Sequence, residues 1–167
     1  MGAIMKDRIL YFGYGSNLNK SDLDAWCKKK GYTPIWILSG RLAILKEYKI
    51  DFNYYSFGRQ GGAANIMEAK GEQVEGVVYE LLQEDLDKIA EKEGAPKYYN
   101  EIRITVGLID ESQLGNVITY KVVKERETTE FQQPTRKYLQ IIIDGARKNG
   151  LSQEWIDKLR RIPTRDL

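Results

Sequence analysis

Tyr11-Phe12-Gly13-Tyr14-Gly15-Ser16-Asn17-Leu18 compresses the end of a strand, a glycine turn and the approach to a helix into eight residues. Ile9, Leu10, Tyr11 and Phe12 form the short apolar and aromatic run expected of a buried strand. Gly13 and Gly15 admit backbone angles closed to other residues and let a ligand reach the main chain without meeting a Cβ. Ser16, Asn17, and Asn19 or Ser21 are candidate caps for a helix starting near Lys20. Exposed N–H groups ahead of a helix N-terminus suit an anionic or carbonyl oxygen. The same residue types also build turns that bind nothing. The Gly-x-Gly is too short for a dinucleotide fingerprint, because the third glycine position is Leu18, and no phosphate-loop pattern occurs.

Downstream, the spacing of Leu23, Trp26 and Cys27 predicts a helix over 21–30, stopped by Gly31. Lys28, Lys29 and Lys30 suit its last turn electrostatically and need no nucleic-acid explanation. Residues 34–55 are rich in β-branched and aromatic types and predict two or more strands. A glycine-bearing loop over 56–62 follows, then an extended segment at 64–67, a turn at Lys70-Gly71-Glu72-Gln73 and a strand over 74–82. Two more strands, 98–109 and 117–124, are separated by 110–116. The C-terminal third reads as a helix capped by Thr135 and stopped by Gly150, then a second helix over 152–161 and a solvated basic tail from Arg160 to Arg165. Without regular strand–helix alternation, this order predicts an α+β fold with a mixed, mainly antiparallel sheet.

The 167 residues suit one domain, 1–167, with a core at about 8–160. With 26 basic and 24 acidic side chains, the net charge of +2 gives no field that favours nucleic acid or a membrane surface. No apolar run approaches the roughly 20 residues of a membrane span. Residues 1–6 lack the apolar core of a secretory signal, and Lys6 stands where a myristoylation motif wants Ser or Thr. The single cysteine, Cys27, sits on the apolar helix face and reads as core; with no disulfide partner it suggests a reducing, cytoplasmic setting. Histidine is absent, which removes the commonest general base and metal ligand, so the expectation is chemistry without metal or cofactor.

That leaves carboxylates, phenols, hydroxyls and backbone. On a helix over 84–93, the 3.6-residue period puts Glu93 on the face of Leu86, Ile89 and Ala90, and the acids at 84, 85, 87 and 91 on the far side. Glu93 also lies in the last turn, before Gly94, where the helix dipole is negative and the sequence places no relieving cation. Burial and dipole both disfavour its anion and push its proton affinity up. The competing reading is an end-of-helix carboxylate that reaches solvent or pairs with Arg41 or Arg103.

Tyr14-Gly15-Ser16-Asn17-Leu18 after an aromatic strand resembles the signature of the γ-glutamylcyclotransferase superfamily, which includes AIG2-like and BtrG-like proteins. The resemblance continues in order through 61–66, 74–79, Glu91-Lys92-Glu93-Gly94 and 134–159, so it spans most of the chain. It implies that the sheet curls into a small barrel flanked by helices. It implies a γ-glutamylcyclotransferase-type enzyme with Glu93 as the catalytic acid–base. Tyr11, Phe12, Gly13, Tyr14, Gly15, Ser16 and Asn17 correspond to the substrate-binding segment, Tyr138 to a helix tyrosine that closes the pocket, and Tyr99 to a further pocket residue. Where the family often has Gly-Leu-Pro, this chain has Gly150-Leu151-Ser152. The partner implied is a small-molecule γ-glutamyl substrate; a homodimer is compatible with the resemblance.

In the implied reaction, the substrate's own α-amine attacks its γ-carbonyl and closes the 5-oxoproline ring as the amine leaves, so no enzyme nucleophile is needed. Two alternatives stand beside it: a γ-glutamylamine or BtrG-like cyclotransferase whose leaving amine is not an amino acid, and a non-catalytic small-molecule-binding protein on the same fold.

Overall fold

The computed structural model describes residues 7–166; the signal and myristoylation readings at residues 1–6 fall outside them. Strand β1 (Arg8–Gly13) leads through a single 3-10 turn at Ser16–Leu18 into α1 (Lys20–Lys30). Tyr11 and Phe12, adjacent in sequence, are 3% and 0% exposed, so both faces of β1 are covered. Of the candidate caps, Asn19 serves α1: its side chain accepts from Asp22 N at 3.0 Å.

Strands β2 (Ser39–Asp51), β5 (Asn65–Leu82), β6 (Tyr99–Leu108) and β7 (Gln113–Val122) join β1 in a closed barrel of order β1-β5-β2-β6-β7; β3 (Tyr55–Ser56) and β4 (Gly61–Gly62) form a separate two-residue ladder. Four barrel pairings are antiparallel, and the closing pair β1–β7 is parallel, with Tyr11 opposite Ile118. The mixed, mainly antiparallel barrel is therefore present, closed by a seam that periodicity does not reveal.

Three local expectations change. Residues 34–38 are not strand; they cross the surface as loop, with Ile35 buried and Trp36 exposed. The Lys70–Gln73 segment is no hairpin turn. β5 runs through it, paired with β2 on both sides, and absorbs a register shift between Lys46 and Tyr48. There Glu47 takes φ 67°, Gly71 takes φ 82°, and Gly71 N donates to Glu47 Oε2 at 2.7 Å. Turn residues at 70–73 thus mark a bulge rather than a reversal. Third, the basic tail docks: Arg165 N donates to Pro134 O at 2.9 Å, and Arg136 N to Arg165 O at 3.3 Å.

Helix α2 (Gln83–Glu93) packs on β1 and β5. Helix α3 (Arg136–Lys148), capped by the Thr135 hydroxyl, buries Tyr138, Leu139, Ile142 and Ile143 against the 16–18 turn and α4 (Gln153–Arg160). Ser152, where the resembled family often has proline, caps α4 by accepting from Trp155 N at 3.1 Å. Cys27 is fully buried.

Candidate active site

Antiparallel β6–β7 pairing sets Tyr99 opposite Val122 and Tyr120 opposite Glu101, and the parallel seam sets Tyr11 beside Ile118. The end of β1, the start of β6 and the end of β7 therefore meet at one end of the barrel. The loop after β1, the C-terminus of α2 and the first turn of α3 cover that end.

Glu93 enters this space from the last turn of α2. Gly94 follows at φ 72°, the left-handed cap conformation, and its N–H bonds back to Ala90 and Glu91 carbonyls. The helix ends there because Gly94 turns the chain away, which leaves Glu93 as the carboxylate at its C-terminus. Glu93 Oε1 accepts from Asn17 Nδ2 at 2.7 Å, and the same amide nitrogen donates to the Tyr11 hydroxyl at 2.9 Å. The inner cavity is lined by Glu93, Tyr11, Tyr14, Gly15, Ser16, Asn17, Ala64, Tyr99, Tyr120 and Tyr138. Gly15 takes φ −117°, ψ −134°, outside the helix and strand regions. Among the described residues the N–H groups of Gly15 and Ser16 have no acceptor, which leaves two donors on this wall.

The tyrosines are fixed. Tyr99 donates its hydroxyl hydrogen to Ala64 O at 2.8 Å, Tyr138 accepts from Ala64 N at 3.0 Å, and Tyr14 donates to Tyr120 O at 2.6 Å. Both backbone groups of Ala64 are thus held by phenols, and Ala64 itself forms part of the wall. Burial, with the nearby Glu93 carboxylate, keeps the phenols of Tyr11, Tyr14 and Tyr99 well above the ordinary tyrosine range. They act as neutral hydrogen-bonding groups, not as bases.

The Glu93 carboxyl is raised above the usual range. Burial is the main cause; the charges of Lys92 and Arg59 and the Asn17 hydrogen bond pull the other way without cancelling it. The sequence-level competitors Arg41 and Arg103 are not its partners: Arg103 bonds Asn116 and pairs with Glu101. The expectation that no cation relieves Glu93 is corrected: Lys92, in the same last turn of α2, and Arg59, from the loop between β3 and β4, both reach it. Asp85 also departs from expectation, since it is buried rather than on the solvent face. It accepts from Trp36 N and pairs with Lys88, pinning the 33–36 loop to the first turn of α2.

Outward from Glu93 the cavity opens into a cleft of about 640 Å³ whose walls include Trp26, Tyr54, Phe57, Arg59 and Tyr98. Arg59 lies over the Tyr138 ring at 5.0 Å and donates twice to the Asp22 carboxylate, at 3.0 and 3.3 Å.

Of the residues singled out from sequence, Tyr11, Tyr14, Gly15, Ser16, Asn17, Glu93, Tyr99 and Tyr138 converge on this cavity. Phe12 and Gly13 do not line it. The Phe12 ring is fully buried among core side chains and its carbonyl accepts from Thr119, while Gly13 completes the β1–β5 ladder. The β1 period explains this, since Phe12 must face opposite to Tyr11. Tyr120, Ala64, Asp22, Arg59 and Lys92 were not assigned to the site from sequence. Tyr120 and Arg59 carry no local signal, and only barrel closure and the loop path bring them in.

The AIG2-like family matches residues 73–159, a span holding Glu93, Tyr99 and Tyr138. A γ-glutamylcyclotransferase of Homo sapiens is 30% identical, covering 96% of this chain and 82% of its own length; that of Bos taurus is 30% identical, covering 96% and 81%. The chain belongs to the γ-glutamylcyclotransferase/AIG2-like superfamily. A solved γ-glutamyl cyclotransferase superposes with TM-score 0.81 at 28% identity, covering 96% of this chain and 91% of that one. The superfamily membership accounts for the small barrel, and it makes this chain an enzyme of a cyclotransferase family. Among the described residues, no group of three or more Cys, Asp or Glu side chains is arranged to hold a metal ion, and no helix is long and apolar enough to cross a membrane.

Proposed function

We propose that this enzyme cyclises a γ-glutamyl amide to 5-oxoproline and releases the amine, with Glu93 moving the proton. The observation that carries the reading is a carboxyl of raised proton affinity, held by Asn17, in a cavity it shares with Gly15 and Ser16, whose N–H groups have no acceptor among the described residues. The α-amine of the substrate attacks the γ-carbonyl carbon, forming the ring C–N bond, while Glu93 takes a proton from that nitrogen. The carbonyl oxygen gains negative charge and is received by the Gly15 and Ser16 N–H groups. Collapse breaks the original C–N bond as Glu93 returns the proton to the leaving nitrogen. One carboxyl completes both transfers and ends in its starting state. The enclosed phenols hold the folded-back conformer that brings amine and carbonyl together. The leaving group faces the outer cleft, whose aromatic and charged walls leave room for an amino acid or a larger amine. The test is 5-oxoproline release across a panel of γ-glutamyl amino acids and γ-glutamyl amines. Turnover of at least one is expected; binding without turnover of any would favour a non-catalytic binding protein and overturn the reading.

A further inference from the structure

Lys92 precedes Glu93 on α2, yet its side chain is only 6% exposed and lies beside the site. Its ammonium donates to Asn17 Oδ1 at 2.7 Å and Ser16 Oγ at 3.2 Å, and pairs with Asp22 Oδ2 at 3.3 Å. An ammonium can only donate, so it selects the oxygen end of the Asn17 amide. The nitrogen end is then turned to Glu93 and Tyr11, at 2.7 and 2.9 Å. With the amide reversed, an oxygen would face Glu93 and would be matched only by its protonated form. Resting on the reaction proposed above, we infer that Lys92 is a positioning residue: by fixing the Asn17 amide and standing beside the carboxyl, it keeps Glu93 in the hydrogen-bonded, proton-accepting form.

The surroundings support the assignment. The charged groups facing Glu93 are Lys92 from α2, Arg59 from the β3–β4 loop and Asp22 from α1. Arg59 is committed to the bidentate pair with Asp22, whereas Lys92 reaches both the binding loop and the amide that touches Glu93. The titratable groups that β1 and the loop after it, β6, β7 and α3 present to the cavity are phenols, those of Tyr11, Tyr14, Tyr99, Tyr120 and Tyr138. Burial lowers the proton affinity of Lys92 itself, with the carboxylates of Glu93 and Asp22 opposing that fall.

The test compares wild type, Lys92→Met, Lys92→Gln and Lys92→Arg by two readouts. The first is NMR titration of the Glu93 carboxyl carbon, assigned with Glu93→Gln. The second is the pH dependence of kcat and KM for release of 5-oxoproline from one γ-glutamyl amide. Because Glu93 must be deprotonated to act as base, the acid limb of kcat/KM follows its titration. Lys92→Met should move both to higher pH by about one unit or more, lowering kcat near neutrality more than it raises KM. Lys92→Gln keeps a donor for Asn17 without the charge and should shift less in the same direction; it carries the test if Lys92→Met does not fold. Lys92→Arg should restore most of the wild-type profile. A Glu93 titration unchanged in the uncharged variants would overturn the inference. If the wild type releases no 5-oxoproline from any γ-glutamyl amide, the reaction falls, and the carboxyl titration alone still decides the role of Lys92.

Discussion

Asp22 shows how a single residue's environment decides its charge. Burial works to raise its proton affinity, but the Arg59 hydrogen bonds and the charges of Lys92 and Arg59 outweigh that, so its carboxyl is held below the usual range. A depressed carboxyl contributes stability that is present above its unfolded value, about 3.9, and is lost as pH falls through its folded value. The stability advantage of wild type over Asp22→Asn, read by urea unfolding, should be constant above about pH 5 and shrink steadily below pH 4. An advantage that grows on acidification would contradict the pairing. At this scale the sequence located Glu93 by helical period but misplaced Asp85, because periodicity treats a carboxylate as polar wherever it stands. Asp85 is buried because the Trp36 N–H and Lys88 satisfy it; a helical wheel shows Lys88 one turn on, but not the loop that brings Trp36.

Elements were legible where local chemistry punctuates them. Gly31, Gly94 and Gly150 end helices at φ 78°, 72° and 80°, where the residue pattern expects them. The misreading at Lys70–Gln73 has a physical cause: Gly71 serves a positive φ in a bulge as readily as in a turn, and only the partner strand distinguishes the two. Gly94 couples element to site, since it sets where α2 stops. An added Cβ there would lie 2.7 Å from Tyr98 Cδ2, in a conformation costing roughly 1–2 kcal/mol for an L residue. Gly94→Ala should lower Tm by about 2–8 °C and reduce kcat by displacing Glu93. Unchanged Tm and turnover would show that the cap does not position the carboxylate.

Across the whole molecule, strand content and order gave the α+β class; barrel closure, which the family resemblance implied and residue periodicity does not show, rests on the single parallel pairing Tyr11 to Ile118. The closure brings Tyr120 to Tyr11, with ring centroids 6.0 Å apart, and so completes a cavity only half visible in the chain. Cys27 lies in the core, so alkylation of the native protein should be slow, and where forced should lower Tm rather than alter the chemical step. Rapid labelling with loss of activity in folded protein would contradict that placement. Around Glu93 stand amides, phenols, Lys92, Arg59 and the Asp22 carboxylate that Arg59 occupies, so prolonged chelation should leave turnover unchanged; a loss restored only by a divalent ion would refute the proton-shuttle account.

The central claim is that one enclosed carboxyl, Glu93, moves the proton in a reaction that needs no enzyme nucleophile. Glu93→Gln keeps shape and hydrogen-bonding capacity but cannot exchange that proton. It removes the burial penalty of an anion and also one of the anions facing Lys92; these effects oppose, so Tm should stay within about 4 °C of wild type. Asp87→Asn, exposed on the same helix and accepting from Gln83, is the control. The deciding measurement is the rate of 5-oxoproline release by the two folded variants. The account predicts a fall in kcat of at least about a hundredfold for Glu93→Gln, with KM largely kept and Asp87→Asn near wild type. Near-normal turnover by folded Glu93→Gln would contradict it.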